Sequence, residues 1–396
     1  MSSECYGFIC EWCARGRAFD SRRVPRPGRE REVGARRSHT RRHARRRYDP
    51  SPQIKRRYLL KYFPVEHQIE MIDLKLKRGF LKRGPAPADV MPSQFYVGGQ
   101  VIIHSRALSI IDYADPFTRS KLAPASECAA LIISPDAYHH SGKILDELST
   151  AGFALKNLKM LRLSEGEADE LTGMLGVGEP SAPYAKLLCS GPVVAVGLMA
   201  PGSLEKLAQC IGDLKARYAT DDVEQALACA PSAPANDAVL SFAFERAHMP
   251  TATLEDGAVS CCVVRPHAVH AGHTGAVLGA IMDAGYDVSA LEIFRLDEAA
   301  AKEFLEVYQG VVPEYNDMVL EMCTGPCVAL EVRAENAVMT FRETAGPWDV
   351  EMAKELRPKT LRAKFGVDRV HNGVHCTDLP EDGALECAYF FDLLQT

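Results

Sequence analysis

His375 closes the run Asn372-Gly-Val-His375-Cys-Thr-Asp378, and its side chain is the most reactive candidate in the chain. A neutral imidazole nitrogen is available near neutral pH, can attack phosphorus, and is a good leaving group afterward. That chemistry needs a carboxylate to hold the other ring nitrogen in one tautomer, and cations to neutralise phosphate charge. Two other groupings have ligand-like spacing. Cys10-Glu-Trp-Cys13 has redox or metal spacing, but no second pair lies nearby and the run reads as a strand, so no metal is expected there. His267, His270 and His273 recur every third residue after an apolar run and read as three solvated loop histidines in preference to a zinc site.

The elements that must carry His375 show themselves through an internal repeat. Ile133-Ser-Pro-Asp-Ala137 matches Val264-Arg-Pro-His-Ala268 at an offset of 131, and Ser141-Gly142 matches Thr274-Gly275 at 133. Ala151-Gly-Phe153 and Leu161-Arg-Leu163 match Ala284-Gly-Tyr286 and Phe294-Arg-Leu296, also at 133. Ser190-Gly-Pro192 meets Thr324-Gly-Pro326 at 134, and Leu214-Lys-Ala216 meets Leu361-Arg-Ala363 at 147, so the second copy holds an extra loop. Each copy opens with an apolar strand (129–133; 261–264) and continues into a helix marked by Ile144, Leu145 and Leu148 or Val277, Leu278 and Ile281. Gly152 or Gly285 then closes that helix, and a second strand, another helix and a strand at 193–198 or 327–332 follow. Strands separated by helices predict an α/β sandwich for each copy. Ahead of the repeat, 57–63, 69–73 and 97–112 read as short strands of a small β domain.

Length and charge bound the remaining possibilities. At 396 residues and 47% hydrophobic content, the chain can fill two or three cores and is neither fibrous nor wholly disordered. It has no apolar run long enough to span a bilayer, and Glu4, Glu11, Arg15 and Arg17 interrupt its start, so a soluble intracellular protein is expected. Thirteen cysteines scattered through apolar runs such as Ser260-Cys-Cys-Val-Val264 read as reduced thiols. The net charge of -6 conceals a basic block: Arg15 to Arg57 holds sixteen Arg and one Lys against Asp20, Glu30, Glu32 and Asp49, a local +13. Its sign alone suits nucleic acid, an acidic protein surface or anionic lipid. With almost no apolar residues it reads as a solvated, disordered insert at 14–55.

The Asn-x-x-His motif, the first-strand proline, the Gly-Pro before the later strand and Cys376-Thr-Asp-Leu-Pro-Glu-Asp-Gly383 together resemble the nucleoside diphosphate kinase family over about 125–396. The N-terminal part, with Phe8-Ile-Cys-Glu-Trp12, Phe80-Leu-Lys-Arg83, Phe95-Tyr-Val-Gly-Gly and Asp112-Tyr-Ala-Asp-Pro-Phe117, resembles the pleckstrin-like DM10 domain that precedes two such domains in the family's axonemal members. The resemblance implies a mixed α/β (α+β) fold. A β-rich pleckstrin-like domain at 1–122 is followed by two ferredoxin-like α/β sandwich domains at 125–250 and 256–396.

It also implies a site in the second copy. His375 is the phosphate-accepting nucleophile, Asn372 belongs to its motif and Glu386 orients it. Arg342, Arg362 and Arg265 match the family's two phosphate arginines and its lysine, and Tyr308 its active-site tyrosine. Mg2+ would arrive with the nucleotide, ATP or a nucleoside diphosphate. The first copy departs from the pattern, because Ala228 stands opposite His375, Gln225 opposite Asn372, Lys215 opposite Arg362 and Ser134 opposite Arg265. It is expected to be catalytically dead. In the second copy Arg265 replaces a compact ammonium and Trp348 lies near the phosphate-contacting threonine.

Two functions therefore stand. One is a structural inner protein of ciliary and flagellar doublet microtubules, contacting tubulin and neighbouring axonemal proteins, with neither membrane nor nucleic acid as partner. The other is an active kinase that passes the γ-phosphate of ATP to nucleoside diphosphates through His375.

Overall fold

Alternating apolar residues at the start of the chain build an antiparallel sheet. Its strands are β1 (Tyr6–Ala14), β2 (Ile54–Phe63), β3 (Gln68–Asp73), β4 (Arg78–Pro85), β5 (Gln100–Ile102) and β6 (Ala107–Tyr113), in the order β4-β3-β2-β1-β6-β5. The computed structural model describes residues 5–14, 54–87, 90, 92–104, 106–123, 127–177, 182–218 and 226–395. Phe8, Tyr58, Leu60, Ile69, Met71 and Ile110 fill the core of this sheet, and the Phe95 ring packs on Phe8 and Tyr62 with centroids 5.0 and 4.5 Å away.

Two elements here escape the sequence pattern. β4 lies at the sheet edge with most of its side chains exposed, so it carries no apolar alternation. The helix Pro116–Leu122 is started by Asp115, whose carboxylate accepts from Thr118 N at 2.8 Å. The basic insert begins later and ends earlier than expected: Ala14 pairs with Ile54, and Lys55 continues β2, because the ladder from Tyr6 to Ala14 runs on without a break. The rest of the expected disordered segment, 15–53, lies outside the described residues.

The second sheet has eight strands. These are β7 (Cys128–Ile133), β8 (Ala154–Leu161), β9 (Val193–Met199), β10 (Leu227–Cys229), β11 (Val259–Val264), β12 (Asp287–Arg295), β13 (Pro326–Arg333) and β14 (Val374–Cys376). Their order is β10-β7-β9-β8-β12-β13-β11-β14, with antiparallel pairing. The first four and the last four are the same arrangement run in opposite directions, which is the signature of a two-fold relation between the repeats. β7, β9, β11 and nearly all of β13 are buried, which explains their unbroken apolar runs. Gly152 and Gly285, at φ +84° and +88°, close matching helices in the left-handed conformation expected of a glycine there.

The copies meet along two lines that respect the offset. Glu292 of β12 is registered on Lys159 of β8, 133 positions earlier, and their side chains form an ion pair at 3.0 Å. The helices Ser141–Thr150 and Thr274–Asp283 cross against each other. A Cβ on Gly142 would lie 2.2 Å from Gly279 N, and one on Gly275 2.2 Å from Asp146 N, so both glycines let backbone touch backbone. The N-terminal sheet leans on the second copy through Ile102 and through Arg295, whose Nη2 donates to the Tyr96 hydroxyl at 3.0 Å. Among the described residues no helix is long and apolar enough to cross a membrane, and their cysteines are free thiols.

Candidate active site

β14 is an edge strand in which side chains alternate. Val374 and Cys376 enter the core shared by the two copies, so His375 faces the other side. There its ring meets Phe304 edge-on, with centroids 4.9 Å apart, and Tyr308 at 6.4 Å. Glu386, in the helix Gly383–Phe391, holds His375 Nε2 at 2.8 Å. A carboxylate oxygen only accepts, so in the neutral ring the proton sits on Nε2 and Nδ1 presents its lone pair. Thr377, two residues along and on the same face, donates its hydroxyl to the same Glu386 oxygen at 3.0 Å and accepts from Cys261 N at 2.9 Å. His375 Nδ1 is buried and has no partner. The nucleophilic nitrogen is thus oriented from behind and left free in front.

Three arginines surround this arrangement. Arg265 is wholly buried at the end of β11, where Nη1 donates to Val370 O at 3.0 Å and lies 3.5 Å from Glu321 Oε2. Burial lowers its proton affinity and Glu321 opposes that shift. Its Nε and Nη2 are buried without partners, as are both polar side-chain atoms of Asn372. Arg362 donates to Val374 O at 3.1 Å and to Gly346 O at 2.9 Å. Trp348 stands close to both cations, its ring centre 5.8 Å from the Arg265 guanidinium carbon and 5.5 Å from that of Arg362. Arg342, half exposed, donates to Asp378 O at 2.5 Å. The Tyr308 hydroxyl donates to Asp378 Oδ2 at 2.6 Å, and burial, reinforced by that carboxylate, pushes the phenol well above its ordinary range. Buried donors without partners beside an imidazole lone pair fit a phosphate group.

The chain carries a nucleoside diphosphate kinase match over residues 259–395. Across its length it is 38% identical to nucleoside diphosphate kinase homolog 7 of Rattus norvegicus, covering 88% of this chain and 91% of that protein. This chain belongs to the nucleoside diphosphate kinase homolog 7 family. The Mus musculus homolog 7 is also 38% identical, over 367 residues. The nucleoside diphosphate kinase of Aquifex aeolicus (strain VF5) is 34% identical over 133 residues, 34% of this chain and 93% of that enzyme.

In this member of the homolog 7 family, the first copy carries other residues at the matching registers. Ala228 pairs with Ile132 as His375 pairs with Val263, and Ser134 N bonds Ala226 O as Arg265 N bonds Gly373 O. The offset of 147 that places Ala228 opposite His375 also places Ala230 opposite Thr377 and Val239 opposite Glu386. All three are buried in one apolar cluster. Lys215 lies in the helix Ser203–Tyr218, whereas Gln225 is outside the described residues.

The three-histidine segment is corrected. His267 and His270 lie in the short helix Pro266–His270 and His273 caps the start of Thr274–Asp283, and His267 is not a solvated loop residue: its Nδ1 lies 2.9 Å from Glu321 Oε1, and its Nε2 accepts from Gly373 N at 3.2 Å. That bond tethers the peptide after Asn372, a role hidden by the sequence separation of 106 between His267 and Gly373. No cluster suited to a metal ion occurs among the described residues. Cys10 is buried in β1, while the Cys13 side chain lies outside the described residues. Thr377 and Asp378 are site residues that the motif contains but whose roles it does not announce. The signal for Thr377 was its two-residue spacing from His375 on a strand.

Proposed function

We propose that this protein is a structural inner protein of ciliary and flagellar doublet microtubules, contacting tubulin and neighbouring axonemal proteins. The observation that carries this reading is the replacement of the first site by Ala228, Ala230 and Val239 inside an apolar cluster. A copy with no nucleophile, yet with a well-filled core and a built interface to its partner copy, serves as a surface and a support, since a fold can outlive the chemistry of its site. In this reading 1–122 is a pleckstrin-like β domain, 125–250 a degenerate kinase-like domain and 256–396 a second one. Three linked units can bury several patches at once, and linkage turns later contacts into intramolecular ones. The axonemal setting rests on the family resemblance. Cryo-electron tomography of native doublets carrying a tagged copy tests it: density in the lumen supports the role, and a tag found only in the soluble fraction rejects it.

A second reading rests on His375 Nδ1, which is unpartnered while Glu386 and Thr377 fix the ring from behind. In that reading Nδ1 attacks the γ-phosphorus, the bond from that phosphorus to the bridging oxygen breaks, and the phosphohistidine passes its phosphoryl group to a nucleoside diphosphate. Arg265, Arg342 and Arg362 would hold the phosphates, and Mg2+ carried by the nucleotide would supply further charge neutralisation. Acid-labile label from γ-labelled ATP on the wild type and none on His375→Ala would support it. Label that persists in the variant would place the nucleophile elsewhere.

A further inference from the structure

His375 Nδ1 has no hydrogen-bond partner in front of it, but it is not open to solvent. Arg265, Arg362, Tyr308, Asn372 and His375 are all buried. Trp348 is only partly buried and lies against this group, with its ring centre 5.5 Å from that of Tyr308 and within 5.8 Å of both guanidinium carbons. An indole packed on two cations and a phenol occupies the approach that an anion bridging those cations would need. Its backbone is fixed from both sides. Before it, Gly346 O accepts from Arg362 Nη1 at 2.9 Å, and Gly346 sits at φ +87° where a Cβ would collide with Thr360. After it, Asp349 divides its carboxylate between two tasks. Oδ1 accepts from Glu351 N and Met352 N at 3.0 and 3.1 Å and starts the helix Val350–Leu356. Oδ2 accepts from Arg369 Nε at 2.8 Å and lies 2.7 Å from Arg369 Nη2. The remaining guanidinium nitrogen of Arg369 lies 3.6 Å from Glu314 Oε1.

We propose that Trp348 is an autoinhibitory plug over the second site and that Arg369 is its clasp, so that His375 becomes accessible only when Arg369 releases Asp349. Arg369 lies three residues before Asn372, on the loop that leads into β14. Its grip on Asp349 therefore ties the loop carrying Trp348 to the loop carrying the nucleophile. The two parts of the device differ in strength. The plug is held by packing against the apolar cluster that contains Phe304 and Tyr308, and by cation–π attraction to Arg265 and Arg362. The clasp is weaker, because the Arg369 side chain is 60% exposed, and an ion pair that exposed contributes little and is screened by salt. A firm plug with a weak outer clasp makes a closure that opens reversibly. The closure stands on this geometry alone, whereas what opening permits rests on the phosphotransfer reading.

The test uses the full chain at neutral pH and diethyl pyrocarbonate, which acylates an accessible neutral imidazole nitrogen, with each histidine followed by peptide mass spectrometry. His375 should react slowly in the wild type, about fivefold faster in Arg369→Ala and faster still in Trp348→Ala. Arg369→Lys, which keeps one charge contact, should fall between the wild type and Arg369→Ala. High salt should speed the wild type and leave Arg369→Ala unchanged. His248 of the first copy has a side chain as little exposed as that of His375, 2% in each, so it reports general unfolding and should keep its rate in every variant. A His375 rate unchanged in Trp348→Ala, or one that rises only together with that of His248, overturns the plug. A rate raised in Trp348→Ala but not in Arg369→Ala overturns the clasp. Parallel incubation with γ-labelled ATP separates closure from chemistry: faster acylation of His375 without acid-labile phosphate in any form supports the plug and rejects the phosphotransfer reading.

Discussion

Reversing the charge of Lys159 should loosen the joint between the copies. Lys159 and Glu292 are registered on one another across the β8–β12 seam and are separated by the same 133 residues that relate the repeats, so the pair sits on the two-fold axis. A symmetric dimer of either copy would bring Lys159 against Lys159 or Glu292 against Glu292. The opposite charges therefore commit the first copy to the second and penalise self-pairing of either. Lys159 Nζ and Glu292 Oε1 are 3.0 Å apart, with side chains 16% and 19% exposed. Two unit charges about 4 Å apart attract by about 4 kcal/mol at an effective dielectric constant of about 20. Desolvation and residual solvent access reduce the net gain to about 1–2 kcal/mol, and Lys159→Glu replaces it with repulsion, a total loss of about 2–4 kcal/mol. Differential scanning calorimetry of the full chain should show the transition lowered by about 5 °C or more in Lys159→Glu and in Glu292→Lys. Most of that loss should return in the double exchange, where the attraction is restored in reverse. Single variants within about 1 °C of the wild type, or a double variant as weak as the sum of the singles, would show that the pair does not hold the seam.

Four further outcomes follow from the same geometry. Gly142→Ala should cost about 2–3 kcal/mol by forcing apart the helix crossing, because its Cβ would lie 2.2 Å from Gly279 N. Gly279→Ala should be tolerated in the same thermal melt, since its nearest neighbour would be 3.7 Å away. Restoring a histidine at the first site will not restore chemistry there: the His375→Ala/Ala228→His chain should carry no acid-labile phosphate, because Val239 and Ala230 offer neither carboxylate nor hydroxyl. Ser164 donates its hydroxyl and N–H to Glu167 at 2.6 and 2.9 Å, and these bonds hold the carboxyl below its usual range. A depressed folded-state value means stability is present above the ordinary carboxylate range and lost as pH falls through the depressed value. Ser164→Ala should therefore lower stability by about 1 kcal/mol at neutral pH, and denaturant titrations should show that gap closing on acidification.

The repeat made much of the larger sheet legible, because the same apolar runs recur at nearly constant offsets and each run is a buried strand. The loss at Ala228 was equally readable, since an offset of 147 assigns it and the strand registers agree. β4 was not legible: an exposed edge strand has no buried face to impose a pattern. His267 was misread because its meaning depends on Glu321 and Gly373, which only the folded chain brings near. The charge pair on the pseudo-axis was invisible for a different reason. Lys159 and Glu292 are ordinary strand residues until the seam places them opposite one another.

The proposed structural role makes attachment and motility depend on the folded surfaces and not on phosphate transfer. In ciliated cells lacking the endogenous protein, the His375→Ala chain should be expressed, the axonemes extracted with high salt, and both doublet retention and beating recorded. The variant should stay in the doublet fraction and restore motility. A variant that is retained normally but leaves the cilia defective would contradict it and make phosphotransfer the working function.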